Sequence, residues 1–214
     1  RAQNLDGKRK GTVGFALTIL QRRLASSPEA IFNSLKRRKA KLERMLEEAK
    51  LQKRGLSELG NLPAMDAADL DEVYDDYTCE EVEKLEEQVV DEATAAQTVE
   101  ELQAEITSLI GLVELAKGVR QAEEDRKWRE LSNLLQDNQY IRDANNHLRK
   151  IIIFTEHKDT LNYLYDRILQ LIGKAEAIEV VHGGVKREER RKAVERFTNY
   201  SESVILLATD AAGE

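Results

Sequence analysis

The stretch "IIIFTEHKDTLNYLYDRILQLIG", residues 151–173, decides the fold of the second half of this chain. Four consecutive apolar residues, Ile151 to Phe154, are typical of a strand that is covered on both faces. The residues after the strand predict a helix with one apolar face, and Gly173 ends it. Its predicted inward side chains are Leu161, Leu164, Tyr165, Ile168 and Ile172. The stretch therefore predicts a buried strand, a short polar loop and an amphipathic helix.

Two more strands and one more helix are predicted downstream. "AIEVV" (177–181) predicts a second strand, "HGG" (182–184) a tight turn, "VKREERRKAVERF" (185–197) a second helix and "SVILLA" (203–208) a third strand. Strand, helix, strand, helix and strand with short links predict a right-handed, parallel, three-layer α/β unit. In such sheets the functional loops lie at the carboxyl ends of the strands.

The first half of the chain, from about residue 12 to residue 136, predicts helices. Ser27 has the position of an N-cap and Pro28 that of a first helical residue. The glycines and the proline of residues 54–65 predict a turn. Two further helix starts have the spacing of a capping box: Thr78 with Glu81, and Thr98 with Glu101. This pattern predicts a long antiparallel helical hairpin, so the fold class is all-α followed by α/β.

Composition narrows the class of protein. The chain has 214 residues, of which 34% are charged and only 5% aromatic, which favours exposed helices over a β-sandwich. The single cysteine, Cys79, cannot form an internal disulfide, so we expect a reducing, cytoplasmic environment. No apolar run approaches the roughly 18 residues of a membrane span, and no membrane partner is expected. The predicted organisation is a helical arm (1–136), a linker (137–150) and an α/β domain (151–214).

Charge is distributed unevenly along the sequence. Residues 1–60 contain 15 Lys and Arg against 6 Asp and Glu, whereas residues 61–110 contain 1 against 16. A basic segment can indicate nucleic-acid binding, and an acidic one would repel a phosphate backbone. The alternative is that the two segments are neighbouring helices that neutralise one another. In either case we expect any nucleic-acid path to avoid residues 66–105.

Polar side chains that can donate hydrogen bonds follow each predicted strand. They are Thr155, His157 and Lys158 after the first strand, His182 after the second and Thr209 after the third. Gly183, Gly184 and Gly213 lie in the same loops and allow backbone N–H groups to come close to an anion. The strand ends therefore predict an edge that is suited to phosphate oxygens.

Other kinds of site lack the necessary spacing. The sequence contains no G-x-x-x-x-G-K-[ST] loop for a nucleotide triphosphate and no nucleophile elbow. Its three histidines have no acidic or cysteine partners at the spacing of metal ligands. We therefore expect neither a metal site nor a catalytic residue in this chain.

The strand-end segments resemble the second RecA-like domain of superfamily-two helicases. "KIIIFTEH" (150–157) is similar to motif four of that family, "VVHGGVKREERRKAVERF" (180–197) to its histidine–glycine segment, and "VILLATDAAGE" (204–214) to the start of motif five. The ending "ATDAAGE" is most similar to the bacterial Swi/Snf-related, RapA-like branch. "DRKWRELSNLL" (125–135) and residues 12–46 resemble segments that precede this domain in that branch. The resemblance implies a fragment that stops within motif five, with a larger parent protein.

The resemblance also implies roles for individual residues. Thr209 corresponds to a threonine that contacts a nucleic-acid phosphate, and the loop from Thr155 to Lys158, including His157, follows the backbone of the nucleic acid. His182, Gly183 and Arg190 correspond to the histidine–glycine segment and a later arginine, which has a backbone contact or a structural ion pair in the family. The nucleotide side of the interdomain cleft is implied for Asp210, Gly213 and Glu214.

The implied function is part of an ATP-dependent nucleic-acid helicase or translocase. ATP and Mg²⁺ would be bound mainly by a first RecA-like domain that this sequence lacks, so the fragment alone is expected to be inactive. Its partner would be the backbone of DNA or RNA, independent of sequence, and self-association through an uncovered sheet edge is expected. Two alternatives stay open: a non-enzymatic coiled-coil interaction module, and a small-molecule α/β nucleotide-dependent enzyme.

Overall fold

A computed structural model of the chain describes residues 2–52, 79–122 and 125–209, and it describes the side chains of all of these except 2–10, 52, 79 and 80. The chain divides into two compact units, residues 1–122 and 123–214. Residues 54–65 and Thr78, for which the sequence predicts a turn and a helix start, lie outside the described residues. The same holds for Asp210, Gly213 and Glu214.

The first unit is helical. Its described helices are α1 (Ala2–Ser26), α2 (Pro28–Gln52), α3 (Cys79–Glu92) and α4 (Val99–Gln121). No strand lies in the part of this unit that the structure describes, as the sequence predicts. Helix α1 begins earlier than the expected residue 12, although glycines lower helix propensity by about 1 kcal/mol each. The buried apolar side chains of α1 that pack on α3 are Phe15, Ala16 and Ile19.

Two helix starts form as their sequence signals predict. The Ser27 hydroxyl accepts the N–H of Ala30 at 3.1 Å at the start of α2. Thr98 and Glu101 form a reciprocal capping box at the start of α4, where the Thr98 hydroxyl accepts the Glu101 N–H at 3.2 Å. These bonds satisfy N–H groups that a helix cannot satisfy itself.

Helices α2 and α4 of this unit pack as an antiparallel pair. Glu29 at the start of α2 forms an ion pair with Arg120 at the end of α4, and Arg38 pairs with Glu105, so α2 and α4 run in opposite directions. An apolar face of α4 packs on α2, and α1 packs on α3. The buried residues shared by α2 and α4 include Leu35, Leu42, Leu102, Ile106 and Leu109.

Ion pairs between helices account for the uneven charge of the sequence. Arg22 of α1 pairs with Glu86 of α3 at 2.7 Å, and Lys41 of α2 pairs with Glu92 of α3 at 2.6 Å. Arg37 of α2 lies 3.1 Å from Glu87. The basic helices α1 and α2 are therefore neighbours of the acidic α3 and α4. In these contacts the basic and acidic helices neutralise one another, which is the alternative to nucleic-acid binding by the basic segment.

Two arginines are buried inside the helical unit. Arg23 is 1% exposed and donates to the Ser34 hydroxyl at 2.9 Å. Arg38 is 7% exposed and donates to the Val90 carbonyl and to Glu105. Because Val90 lies in the last turn of α3, its carbonyl has no intrahelical partner, and Arg38 satisfies it.

Asp91 of α3 lies beside these arginines. Burial raises its pKa to about 6, although the charges of Arg37, Arg23 and Arg38 act in the opposite direction. Its Oδ1 atom is buried and accepts no hydrogen bond within the described residues. The helical unit thus contains a carboxyl group that is stabilised in its protonated form.

The second unit combines helices with a small sheet. Its elements are α5 (Arg126–Gln136), α6 (Asn138–Ile141), β1 (Ile151–Phe154), α7 (Lys158–Ile172), β2 (Ile178–Val181), α8 (Arg187–Asn199) and β3 (Ile205–Ala208), with a 3-10 turn over Ala175–Ala177. Gly173 ends α7 in the left-handed conformation (φ 71°), as its sequence position predicts.

The three strands are parallel, in the order β1, β3, β2. Ile205 of β3 is in register with Ile151 of β1 and with Ile178 of β2, so β3 is the central strand. Helix α7 covers one face of the sheet and α8 covers the other. The buried clusters are Leu161, Ile168, Ile178, Ile205 and Leu207 on the α7 face, and Val181, Ala193, Phe197 and Leu206 on the α8 face.

Helix α5 belongs to the second unit, which differs from the predicted boundary at residue 136. Trp128 and Leu135 pack on the cluster beneath α7. Asp125 caps α5 by accepting the Trp128 N–H, and it also accepts the Tyr163 hydroxyl of α7 at 3.0 Å. Burial and the Asp125 charge raise the pKa of Tyr163 to about 12. These contacts hold α5 on α7.

The described helices differ from membrane-spanning helices in length or in composition. None of them is both long enough and apolar enough to cross a bilayer.

Candidate nucleic-acid interface

The carboxyl ends of the three strands meet at one edge of the sheet. Phe154 and Val181 are both in register with Ala208, so Thr155, His182 and Thr209 follow at the same level. The Thr155 N–H donates to the Ala208 carbonyl at 2.9 Å, and the Thr209 N–H donates to the Val181 carbonyl at 3.0 Å. The structure therefore brings these sequence-predicted residues together, and the backbone ladder fixes their spacing.

The loop between β1 and α7 has one buried and several accessible residues. His157 is 2% exposed and is the N-cap of α7, with Nε2 lying 3.7 Å from the Glu156 carboxylate. Its burial leaves no open route to a ligand on the surface, which differs from its expected role as a donor. Thr155 is half-buried and Lys158 is exposed. Lys158 is thus the accessible cation of this loop, at the positive end of α7.

The loop between β2 and α8 closes on its own histidine. The Gly184 N–H donates to His182 Nδ1 at 3.1 Å, and the Val185 N–H donates to the His182 carbonyl at 3.0 Å. One of the backbone N–H groups that the sequence offers to an anion, that of Gly184, is therefore used within the turn. An ideal Cβ at Gly184 would lie 3.1 Å from His182 Cε1 and 3.5 Å from Lys158 Nζ, so a glycine suits this close approach.

The third strand end is only partly described. Thr209 is 7% exposed, and Asp210, Gly213 and Glu214 lie outside the described residues. The threonine side chain is therefore less accessible than its expected role as a phosphate donor requires. Its backbone is held in the ladder, which places its hydroxyl beside the ends of β1 and β2.

Charges of both signs surround this edge. Lys158 and Asp159 lie in the first turn of α7, and α8 begins with Arg187, Glu188 and Glu189 after Lys186. The hydrogen bond from Lys192 lowers the pKa of Glu189. Arg190 is half-buried in the first turn of α8 and donates its N–H to the Lys186 carbonyl at 3.0 Å. The edge can thus contact phosphates through selected cations, not through a uniformly basic surface.

The described side chains do not compose a site for Mg²⁺ and ATP. No group of three or more His, Cys, Asp or Glu side chains in the described ranges could hold a metal ion. The strand-end loops also lack a glycine-rich phosphate loop followed by lysine.

Two residues were missed as important by the sequence analysis. The sequence indicates Gly184 only as one of several backbone donors. The histidine two residues before it, His182, was the signal that the Gly184 N–H would be used in a local hydrogen bond. Lys150 received no role, but its Nζ donates to the carbonyls of Phe197, Thr198 and Tyr200 at the end of α8. Lysine near a helix C-terminus is a known type of cap, but here the lysine lies far away in sequence.

Comparisons with known proteins bear on this second unit. Residues 126–214 match a family model described as the helicase conserved C-terminal domain, which is less than half of the 214 residues. No curated protein and no solved structure matches the chain. The matched range begins at the first residue of α5 and includes all three strand ends. From Arg126 onward, therefore, the chain is similar to the C-terminal domain of helicases.

Proposed function

We propose that this chain is part of an ATP-dependent nucleic-acid helicase or translocase, in which the second unit contacts the nucleic-acid backbone. The proposal is carried by one observation: Thr155, His182 and Thr209 each follow directly after a strand, side by side at the carboxyl edge of a parallel sheet. All three lie in the range that matches the helicase domain. Ligands of open α/β sheets bind at this edge.

The contacts would be independent of base sequence. Lys158 is exposed at the N-terminus of α7, where the helix dipole also favours an anion, and Thr155 lies three residues before it. A lysine and a hydroxyl group can bind phosphate oxygens of any DNA or RNA strand. Thr209 would join them if its hydroxyl becomes accessible when a strand binds. Gly183, between His182 and Gly184, would present its backbone to the strand.

The proposed role of ATP rests on the resemblance to superfamily-two helicases. We assign Asp210, Gly213 and Glu214 to the side of the domain that faces the nucleotide, and we place the parent protein in the RapA-like branch. Bound ATP with Mg²⁺ would supply the free energy for movement along the strand. This chain's own residues would bind and orient the strand, and the chain alone would have no ATP turnover.

We also propose that the isolated chain associates with a second copy of itself. Strand β1 lies at the edge of the described sheet, and its side chains Ile152 and Phe154 are 49% and 64% exposed. An edge strand with apolar side chains can pair with a second copy of itself. Sedimentation velocity of the wild type and of Phe154→Lys tests this pairing: a monomer at all concentrations for both proteins would contradict it.

The test of nucleic-acid binding uses Lys158→Ala with Lys174→Ala as a matched control. Both lysines are exposed, but Lys174 follows the C-terminal end of α7, away from the strand ends. We expect Lys158→Ala to weaken binding of labelled single strands of any sequence. It should also reduce the slope of log affinity against log salt by about 0.7, the value for one phosphate contact.

A result in which the two variants bind equally well, with the same salt slope, would contradict the assignment of Lys158. In the full-length protein, Thr209→Ala should reduce nucleic-acid-stimulated ATP turnover more than basal turnover. The loss of one hydrogen bond to a charged group corresponds to roughly 1.5–3 kcal/mol. ATPase rates with and without nucleic acid measure this difference, and equal effects on both rates would place Thr209 outside the interface.

A further inference from the structure

The loop after β2 contains a hydrogen bond that gives His182 a role different from ligand binding. His182 Nδ1 accepts the Gly184 N–H at 3.1 Å, while the His182 carbonyl accepts the Val185 N–H at 3.0 Å. A ring nitrogen accepts a hydrogen bond only when it carries no proton. The proton of the neutral ring must then be on Nε2, and the ring is locked in one orientation relative to its own loop.

The same loop lies against the cation of the neighbouring loop. An ideal Cβ at Gly184 would lie 3.3 Å from His182 Nδ1 and 3.5 Å from Lys158 Nζ. The imidazole of His182 and the ammonium of Lys158 therefore lie next to the same face of Gly184, where a Cβ atom would be. A change in the path of the loop would alter the space that the Lys158 side chain occupies.

We infer that His182 is a positioning residue, which shapes the 182–185 turn and thereby places Lys158 for phosphate, instead of contacting nucleic acid itself. The inference rests on the proposed function, since it assumes that Lys158 binds phosphate. It assigns the function of the histidine to Nδ1, whereas direct recognition of a phosphate would use a donor N–H of the ring.

Asparagine separates these two roles. Its Oδ1 atom occupies nearly the same position relative to the backbone as Nδ1 of histidine, and Asn side chains commonly accept the N–H two residues later in turns. His182→Asn therefore keeps the acceptor for Gly184 but lacks the imidazole Nε2–H. His182→Ala lacks both, and Gly184→Ala keeps the imidazole but introduces the close contact.

The experiment measures binding of the whole chain to fluorescein-labelled oligo-dT and oligo-U of about 20 nucleotides, longer than a typical single-strand site. We expect His182→Asn to bind within about twofold of the wild type. His182→Ala and Gly184→Ala should bind about three- to tenfold more weakly, the size expected when one hydrogen bond is lost. Circular dichroism spectra of all variants check that each is folded.

Two binding results would overturn the inference. If His182→Asn binds as weakly as His182→Ala, the imidazole contacts the strand directly. If all three variants bind like the wild type, the turn does not position Lys158. Should an alanine variant fail to fold, the comparison of His182→Asn with the wild type still distinguishes the two roles.

The ring tautomer gives a measurement that needs no nucleic acid. Long-range ¹H–¹⁵N spectra of the wild type should show His182 with an unprotonated Nδ1 and a protonated Nε2. A proton on Nδ1 would overturn the inference even if the protein binds nucleic acid well. A wild-type protein that shows the expected tautomer but binds neither oligo-dT nor oligo-U would overturn the proposed function. The role of His182 in placing Lys158 would then be overturned as well.

Discussion

The helical unit and the α/β unit fix their internal alignment in different ways. The helical unit buries two arginines, Arg23 and Arg38, with 1% and 7% exposure, among its apolar residues. The sheet of the α/β unit has aliphatic clusters on both faces, and its bidentate ion pair, Glu179 with Arg196 at 2.7 Å, leaves the Arg196 side chain 46% exposed. The helical unit therefore buries arginine side chains, whereas in the α/β unit the arginine is exposed and only its carboxylate partner, Glu179, is buried.

This difference between the units follows from whether backbone hydrogen bonds join neighbouring elements or lie within one element. Strands bond to one another, so the ladder from Ile205 to Ala208 sets the register of both neighbours without help from side chains. Helices satisfy their backbone groups internally, so only side chains can fix how two helices are aligned along their axes. Buried polar pairs are one means of specifying such an alignment. The comparison predicts that charge substitutions damage the first unit and cavities damage the second.

The largest effect is expected for Arg38→Met. The substitution removes the donor to the Val90 carbonyl and to Glu105, which leaves a buried carbonyl and a partly buried carboxylate without this partner. Breaking a buried pair at one side typically costs about 3–5 kcal/mol. Urea unfolding followed by hydrogen exchange of amides in α2 and α3 measures the loss in the helical unit separately from the sheet.

Lys39→Met is the matched control for Arg38→Met. Lys39 pairs with Glu43 one turn later, at 3.2 Å, in a surface ion pair that is worth only about 0.3–0.5 kcal/mol. If Arg38→Met destabilised α2 and α3 no more than Lys39→Met does, the buried arginine would not be what aligns the helices, and the contrast between the units would be lost.

Leu207→Ala should produce the largest loss in the second unit. Leu207 is 0% exposed in the central strand, and a leucine truncated in a packed core costs about 3 kcal/mol through lost burial and the remaining cavity. Phe154→Ala, at an edge-strand side chain that is 64% exposed, should cost less than about 1 kcal/mol. Hydrogen exchange of the β3 amides measures both, and equal losses would contradict the assignment of the core.

The smallest effect is expected for Asp91→Asn, and it depends on pH. Burial raises the pKa of Asp91 from 3.8 to about 6, so the folded helical unit binds this proton more tightly than the unfolded chain. The ionised carboxylate is unfavourable in the fold above pH 6, and the asparagine variant should be more stable than the wild type there. As the pH falls through 6 toward 4, this advantage should disappear, because the wild type becomes protonated.

The stability difference between Asp91→Asn and the wild type is measured from the denaturant midpoint of the helical unit at several pH values between 4 and 8. Glu47→Gln, at an exposed position of α2, is the control for removing one acidic charge. A stability difference between Asp91→Asn and the wild type that stays constant over this range would mean that burial does not control the titration of Asp91.

Local signals in the sequence predicted much of this structure. The hydroxyl caps at Ser27 and Thr98, the strand from Ile151 to Phe154 and the helix stop at Gly173 each depend on a few neighbouring residues, so the pattern contains the physical cause. The expected coverage of this strand on both faces was wrong. Ile152 and Phe154 are exposed because the buried cluster on their face joins α8 to β2 and β3 only. The parallel direction of the strands also followed, because short helical links between strands permit little else.

Features that depend on distant residues could not be predicted in the same way. Arg38 interrupts an apolar seam in the sequence, and its partners Val90 and Glu105 lie 52 and 67 residues away. The burial of His157 depends on how α7 packs on the sheet, whereas the local pattern indicates only a polar residue in a loop. In the candidate site, the strand ends were predictable, whereas which of their side chains are accessible was not.

The central position of β3 has a consequence for synthesis of the protein on the ribosome. Both β1 and β2 take their ladder partners from Ile205–Ala208, and neither pairs with the other. Residues 151–181 therefore leave the exit tunnel before any partner strand exists, and at about 5–20 residues per second this interval lasts seconds. During that time the apolar run of β1 has no ladder partner. Sheet formation must then be a late event in vectorial folding, and a chaperone that binds extended apolar segments would find β1 during this interval.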